Sequence, residues 1–253
     1  MNGKLLTIKN LSAWYRREHT VLEDFSIELQ EHEVVGLIGL NGAGKTTFIK
    51  TLSGLHETFS AEEIRLYDRP VQFRDQAFKT CRYTVFAEDH SFQYFTFREY
   101  LAYVLAAYGR EQRDAEALIR GFHFENDTDV LLKDLSTGNQ KKAFLITAFA
   151  LRPKLLLLDE PVNGLDFQST EYLYELITGY KEYGTVLFSS HILESITLTS
   201  DRVLVLEDGR ICRSFAGEQI NAEGIRAALH VETGQEKLTW ENEQVKRQDR
   251  DDP

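Results

Sequence analysis

A chain of 253 residues with 42% hydrophobic and 27% charged side chains can bury a core as one large domain, or as one domain carrying an insertion. Its formal charge of −11 argues against a general basic surface for nucleic acid or anionic lipid, and no nucleic-acid partner is expected. Two cysteines, Cys81 and Cys212, with no CxxC pair and no histidines at metal spacing, argue against a disulfide scaffold or structural zinc and point to reduced thiols in a cytosolic protein.

The N-terminal MNGKLLTIKN lacks the apolar centre of a signal peptide, and no apolar run reaches the ~18–20 residues that cross a bilayer. Work at a membrane would therefore need another chain to span it. In chain order, KLLTIKNL, FSIEL and EVVGLIGL read as strands. VVGLIGL is apolar without alternation, the pattern of a strand buried on both faces of a mostly parallel sheet. A helix is predicted from Lys45 to about Leu52, ending near Gly54.

From about Ser91 to Lys142 the character changes. TFREYLAYVLAAYG reads as an amphipathic helix and EQRDAEALIRGF as a second. LSTGNQKK then precedes a helix over Lys142–Leu151, and Ser136 or Thr137 is a candidate cap for it. After Leu151, KLLLLDEP is a strand, QSTEYLYELITGYK a helix, GTVLFSSH a strand, ILESITLTS a helix, and DRVLVLEDGRI a closing strand or hairpin. The pattern predicts an α/β core interrupted by a small helical insertion. Beyond about Gly217 it fades, and the charged ENEQVKRQDRDDP reads as a solvated, poorly ordered end.

Chemistry first shows in GLNGAGKT, Gly39 to Thr46, which matches G-x-x-x-x-G-K-[ST] directly after the buried strand. Glycines let the backbone amides curl toward phosphates, and the following helix adds the positive end of its dipole. Gly39, Leu40, Asn41, Gly42, Ala43, Gly44, Lys45, Thr46 and Thr47 are thus candidate phosphate-binding residues. Among them Lys45 supplies a point charge, and the Thr46 hydroxyl is a candidate Mg²⁺ ligand. LLLLDEP adds Asp159 at a buried strand end, a candidate to hold Mg²⁺ and its water shell, and Glu160, a candidate general base. Two acidic residues that merely face solvent are the plainer alternative. His191 in SSHIL stands at another strand tip, where a γ-phosphate contact would come from, although a lone histidine is more often structural.

Together these segments make the chain resemble the ATP-binding subunit of an ABC transporter, from about Leu5 to Gly217, and the short helical insertion and Glu88 resemble those of ABC-2-type bacterial exporters. GLNGAGKTT resembles the Walker A loop, LLLLDEP Walker B, NGLD (Asn163–Asp166) the D-loop, SSHIL the switch-histidine segment, and LSTGNQKK the signature LSGGQQRR. The resemblance implies a P-loop NTPase fold: a mostly parallel sheet with N-terminal antiparallel strands and an inserted α-helical subdomain. It implies an ATP-binding core over 1–87 and 144–217, a helical subdomain with Q-loop and signature over 88–143, and a partly disordered C-terminal extension over 218–253. It also implies an ATPase that uses ATP and Mg²⁺, acts as a homo- or heterodimer of two such subunits, and sits on the cytoplasmic face of the membrane through permease subunits.

By the same resemblance Ser136 and Gly138 touch the partner's γ-phosphate, Asp166 belongs to the D-loop, and Tyr15 stacks on adenine, with Trp14 as the other candidate. Two departures stand out. Thr137 and Asn139 replace a signature glycine and glutamine, which is expected to give a working but weaker signature. Glu88 occupies the place of the Q-loop glutamine, where a carboxylate can approach Mg²⁺ but adds negative charge beside the γ-phosphate. The aromatic run from Phe86 to Tyr103 keeps no clean period, so some rings are expected to stay exposed, with Phe92, Tyr94 and Phe95 among the residues that dock permease subunits. The competing readings are a soluble ABC protein of translation, repair or cluster assembly, and a poorly hydrolysing regulatory module. A single cassette without long coiled coils disfavours the first, and intact Lys45, Asp159, Glu160 and His191 disfavour the second.

Overall fold

A computed structural model describes residues 3–16, 19–110 and 115–229. The chain opens with β1 (Lys4–Arg16) and β2 (His19–Gln30), followed by β3 (Val34–Ile38) and α1 (Lys45–Leu52). Short strands β4 (Phe59–Ser60), β5 (Glu63–Leu66) and β6 (Arg69–Pro70) lead to α2 (Gln76–Cys81) and β7 (Arg82–Val85). Helices α3 (Phe97–Ala107), α4 (Glu116–Gly121) and α5 (Thr137–Leu151) come next. Alternation then resumes with β8 (Leu155–Asp159), α6 (Phe167–Gly179), β9 (Thr185–Ser190) and α7 (Leu193–Thr199). The β10–β11 hairpin (Arg202–Glu207 and Arg210–Ala216) and α8 (Ala222–Ala228) close the described chain.

Two sheets form. β1, β2, β4, β5 and β6 make an antiparallel sheet, and β11-β10-β3-β9-β8-β7 make a second sheet that is parallel except for the edge strand β11. The α/β reading, with antiparallel strands at the N-terminus and a mostly parallel sheet behind the glycine-rich loop, is the observed fold. Every residue of β3, β8 and β9 is buried, because helices and the antiparallel sheet cover the two faces of the parallel sheet.

Side-chain alternation divides the core between those faces. Val34, Ile38, Leu156, Leu158, Val186 and Phe188 pack with α3, α5 and α6, while Val35, Leu37, Leu155, Leu157 and Leu187 pack with α1 and the antiparallel sheet. Helix α5 runs through the first of these cores, and every residue from Ala143 to Leu151 is buried. This explains why its sequence shows no polar face.

Three features depart from the sequence reading. Helix α5 starts at Thr137 instead of Lys142, because the Ser136 hydroxyl accepts the Asn139 amide at 3.2 Å and caps a polar first turn. Past Gly217, Asn221 caps α8, whose Ile225 and Ala228 are buried in the core. Of the second helix expected in the insertion, only Glu116–Gly121 is helical among the described residues, and Glu111–Asp114 lie outside them. The charged end from Glu241 to Pro253 also lies outside them.

Candidate functional site

Parallel register builds the site. Ile38 pairs with Ser190, and Asp159 with Ser189, so the ends of β3, β8 and β9 lie side by side. The residues that follow those ends are Gly39, Glu160 and His191, and they meet at the carboxyl edge of the sheet, where open α/β sheets bind ligands.

The loop from Gly39 to Gly44 takes its shape from glycine. Gly42 and Gly44 have φ of 88° and 108°, in the left-handed region that side chains rarely adopt. Gly44 is the N-cap of α1 and places no side chain over the helix start, so no side-chain cap competes for the first-turn amides. Lys45 is buried, and its ammonium donates to the Gly39 carbonyl at 2.7 Å and to the Leu40 carbonyl at 3.4 Å. Leu40, Asn41, Gly42 and Thr46 are exposed around it, whereas Ala43 and Thr47 are buried.

Glu160 joins the strand ends. Its carboxylate lies 3.7 Å from Lys45 Nζ through Oε1 and 2.8 Å from His191 Nδ1 through Oε2. The Ser189 hydroxyl accepts the Glu160 amide at 3.0 Å. Glu160 has φ of +46°, a left-handed conformation that costs a non-glycine residue on the order of 1 kcal/mol or more and clusters at functional sites.

Asp159 is 1% exposed, and its Oδ1 accepts from Thr46 at 3.1 Å and Ser189 at 2.7 Å. Its Oδ2 is buried with no hydrogen-bond partner, a costly state that a cation would relieve. The Thr46 hydroxyl and the Asp159 carboxylate are hard oxygen donors of the kind Mg²⁺ takes together with phosphate and water. Among the described residues no group of three or more His, Cys, Asp or Glu could hold a metal ion.

The remaining candidates fall into two groups. Tyr15 is exposed beside the loop, its hydroxyl 3.4 Å from Thr47 Oγ1 and its ring edge-on to His56. Glu88 is exposed just past β7 and makes no hydrogen bond to Thr46 or Asp159 among the described residues. Lys141, inside LSTGNQKK but not among the candidate site residues, donates to the carbonyls of Phe86 and of Ala87, the two residues before Glu88 (2.7 Å to the latter). Burial lowers the Lys141 pKa to about 8, opposed by the charges of Asp159, Asp89, Glu160 and Glu88.

Ser136 and Gly138 stand apart from the glycine-rich loop and make no hydrogen bond to it among the described residues. Neither Thr137 nor Gly138 has a positive φ, so Thr137 takes its helical place without strain and points its side chain to solvent. Glycine is needed at 138 for a different reason: a Cβ there would lie 2.4 Å from the Gly164 carbonyl oxygen. A second tie joins the same segments, because buried Lys142 pairs with Asp166 at 2.7 Å. Asp166 caps α6 through the Ser169 amide, and Lys142 followed by that amide holds its carboxyl well below the usual carboxylate range. Asn139 donates to Asp127 at 2.8 Å, which anchors the turn before α5.

The structure thus gathers Gly39 to Thr47, Asp159, Glu160, His191 and Tyr15 at one edge, with Glu88 at its flank, and sets Ser136, Gly138 and Asp166 in a second group. Sequence reasoning missed Ser189, which ties Asp159 to Glu160, and the buried pair Lys141 and Lys142. The serine was visible in SSHIL as a polar residue inside an apolar strand, whereas the lysines lie in LSTGNQKK with no local sign of burial.

Known proteins are similar to this chain in sequence and fold. The family described as "ABC transporter" matches residues 22–163. The chain is 36% identical to the putative ABC transporter ATP-binding protein AlbC of Bacillus subtilis (strain 168) over 216 residues, covering 82% of this chain and 90% of that one. It is 27% identical to the SkfA peptide export ATP-binding protein SkfE of the same organism, covering 96% of each chain. A solved ATP-binding subunit of an ABC transporter superposes with a TM-score of 0.78 at 29% identity, covering 93% of this chain and 98% of that one.

Proposed function

From the premise that the chain belongs to the ABC transporter family as an ATP-binding subunit, we propose that it drives export through permease partners, with Glu160 as the base that activates water. As a member of that family it is an ATPase that binds ATP and works in pairs alongside transmembrane permease subunits. The residue roles, the ion, the direction and the docking surface are our own reading.

The observation that carries the chemistry is the chain of contacts Lys45–Glu160–His191 at three strand ends in register. Backbone amides at the start of α1 and the Lys45 ammonium meet the β- and γ-phosphates, while Tyr15 stacks on adenine. Glu160 takes a proton from water as the water oxygen attacks the γ-phosphorus, and ADP departs as the bond to its β-phosphate oxygen breaks. His191 holds Glu160 through Oε2, which keeps the carboxylate directed into the site. Thr46 and Asp159, with Glu88 beside them, are the residues that would hold Mg²⁺, which offsets phosphate charge when bound. Ser136 and Gly138 of one subunit close over the ATP of the other, and hydrolysis reopens the pair.

Permease docking belongs on the aromatic run. Phe92, Tyr94 and Tyr103 are exposed at 36%, 75% and 52%, whereas Phe97 and Tyr100 are core residues. An open groove of about 400 Å³ runs beside β7, away from the glycine-rich loop, lined by Leu55, Lys79, Arg82, Phe86, Ala107 and Tyr108. No described helix is long and apolar enough to cross a membrane, so permease partners would hold this subunit at the cytoplasmic face. We also read 1–87 and 144–217 as the ATP-binding core, 88–143 as the helical subdomain and 218–253 as an extension. Export is favoured by the end-to-end match to SkfE, and identity alone does not set the direction, because relatives named for import are as close.

Co-purification tests the docking surface. Alanine at Phe92, Tyr94 and Phe95 should spare ATP binding and weaken recovery with the membrane partner by about tenfold, since aromatic anchors contribute ~1–2 kcal/mol or more at interfaces. Unchanged assembly would remove this surface from the account. ATP-dependent uptake of cargo into inside-out vesicles would support export, and ATP-dependent release from them would reverse the direction.

A further inference from the structure

Lys141 is 4% exposed, on the first turns of α5, yet among the described residues it makes no ion pair. A buried ammonium without a carboxylate in contact is costly, so its surroundings must compensate. Two main-chain carbonyls accept from it, those of Phe86 and Ala87, the pair immediately before Glu88. Carboxylates also act on it at longer range, Asp159 most strongly, then Asp89, Glu160 and, least, Glu88. Lys45 is also a buried ammonium, and it already contacts Glu160. The segment that carries Glu88 is thus held directly against the Lys141 ammonium by the two carbonyls that precede it.

We propose that Lys141 is a positioning residue that pins the segment carrying Glu88 to the start of α5 and supplies the positive charge that lets a carboxylate stand at position 88. The inference rests on the reading that Glu88 borders the bound nucleotide. Its physical basis is simple. Phosphates entering beside an uncompensated carboxylate meet repulsion, and a fixed cation bonded to the two carbonyls just before that residue offsets part of it without contacting the phosphates. The two carbonyl bonds hold the charge in place, so no reorganisation is needed when the nucleotide binds. Lys141 also shares α5 with Ser136 and Gly138, so the same bonds join the flank of the chain's own site to the turn offered to the partner's.

The test is a double-mutant cycle on the purified full chain: wild type, Lys141→Gln, Glu88→Gln and the double variant, each with steady-state ATPase against ATP and a thermal melt. Lys141→Gln should lower kcat/KM by about tenfold when Glu88 is present and by about threefold or less when residue 88 is glutamine. Lys141→Arg, which keeps the charge, should recover most of the loss. Equal losses in both backgrounds, tracking equal falls in Tm, would reduce Lys141 to a structural lysine and overturn the proposal. A Lys141→Gln chain that folds only together with Glu88→Gln supports it, and failure to fold in both backgrounds contradicts it. A wild-type chain without ATPase activity would instead count against the catalytic reading itself.

Discussion

Gly138→Ala puts the geometry of the signature turn to the test. The added Cβ would lie 2.4 Å from the Gly164 carbonyl oxygen, about 1 Å inside ordinary contact, and both groups are backbone, so no flexible side chain can yield. Overpacking of this kind costs ~1–3 kcal/mol, while replacing a helical glycine by alanine returns ~1 kcal/mol of propensity. With the clash at the upper end, the net loss is about 1–2 kcal/mol, which lowers Tm by ~2–8 °C for a chain of this size. Differential scanning calorimetry on the isolated, nucleotide-free chain isolates this term, because no partner or phosphate contributes. Thr137→Gly is the control: Thr137 is exposed with negative φ, so restoring glycine there should stabilise nothing. A Gly138→Ala chain melting within ~1 °C of wild type would refute the steric argument, and glycine at 138 would then answer only to the partner's ATP.

Tyr15→Ala should weaken ATP binding by ~1 kcal/mol or more, the scale of a base–aromatic stack, while leaving Tm near wild type because the ring is exposed; equilibrium binding with a fluorescent ATP analogue reads this, and unchanged affinity would move the adenine contact elsewhere. Asp166 predicts a pH effect. Its carboxyl is depressed in the folded state by Lys142 and then the Ser169 amide, so its contribution is present above the unfolded pKa of about 3.9 and is lost as pH falls below it. Asp166→Asn should therefore lower Tm at pH 7 and make the decline below pH ~4 shallower; the step is small because the side chain is 53% exposed. An unchanged acid limb would mean that the Lys142 pair contributes nothing.

Much of the site was legible because its parts are local. The glycine-rich loop needs consecutive residues in one turn, and Asp159, Glu160 and His191 sit next to apolar strands whose parallel pairing aligns their ends. The true start of α5 was hidden because the apolar signal begins at Ala143, seven residues after the Ser136 cap, and α8 because a seven-residue helix burying Ile225 and Ala228 has no period long enough to read. Lys141 and Lys142 look like a charged helix end in sequence. Only the fold brings them to the carbonyls of Phe86 and Ala87 and to Asp166, partners separated by 54 and 55 residues in the first case. A further long-range contact explains why glycine is required at 138 and not at 137: Thr137 faces solvent, whereas Gly138 is pressed against Gly164.

Turnover by Glu160→Gln is the most direct test of the claim that this carboxylate, held by Lys45 and His191, activates water. The substitution keeps the shape and the amide contact to Ser189 but removes the base. ATP hydrolysis should fall by about 10²–10⁴-fold, the usual contribution of a general base, while ATP still binds and a closed dimer accumulates on size-exclusion chromatography. Turnover near the wild-type rate in Glu160→Gln would place the base elsewhere and contradict the account.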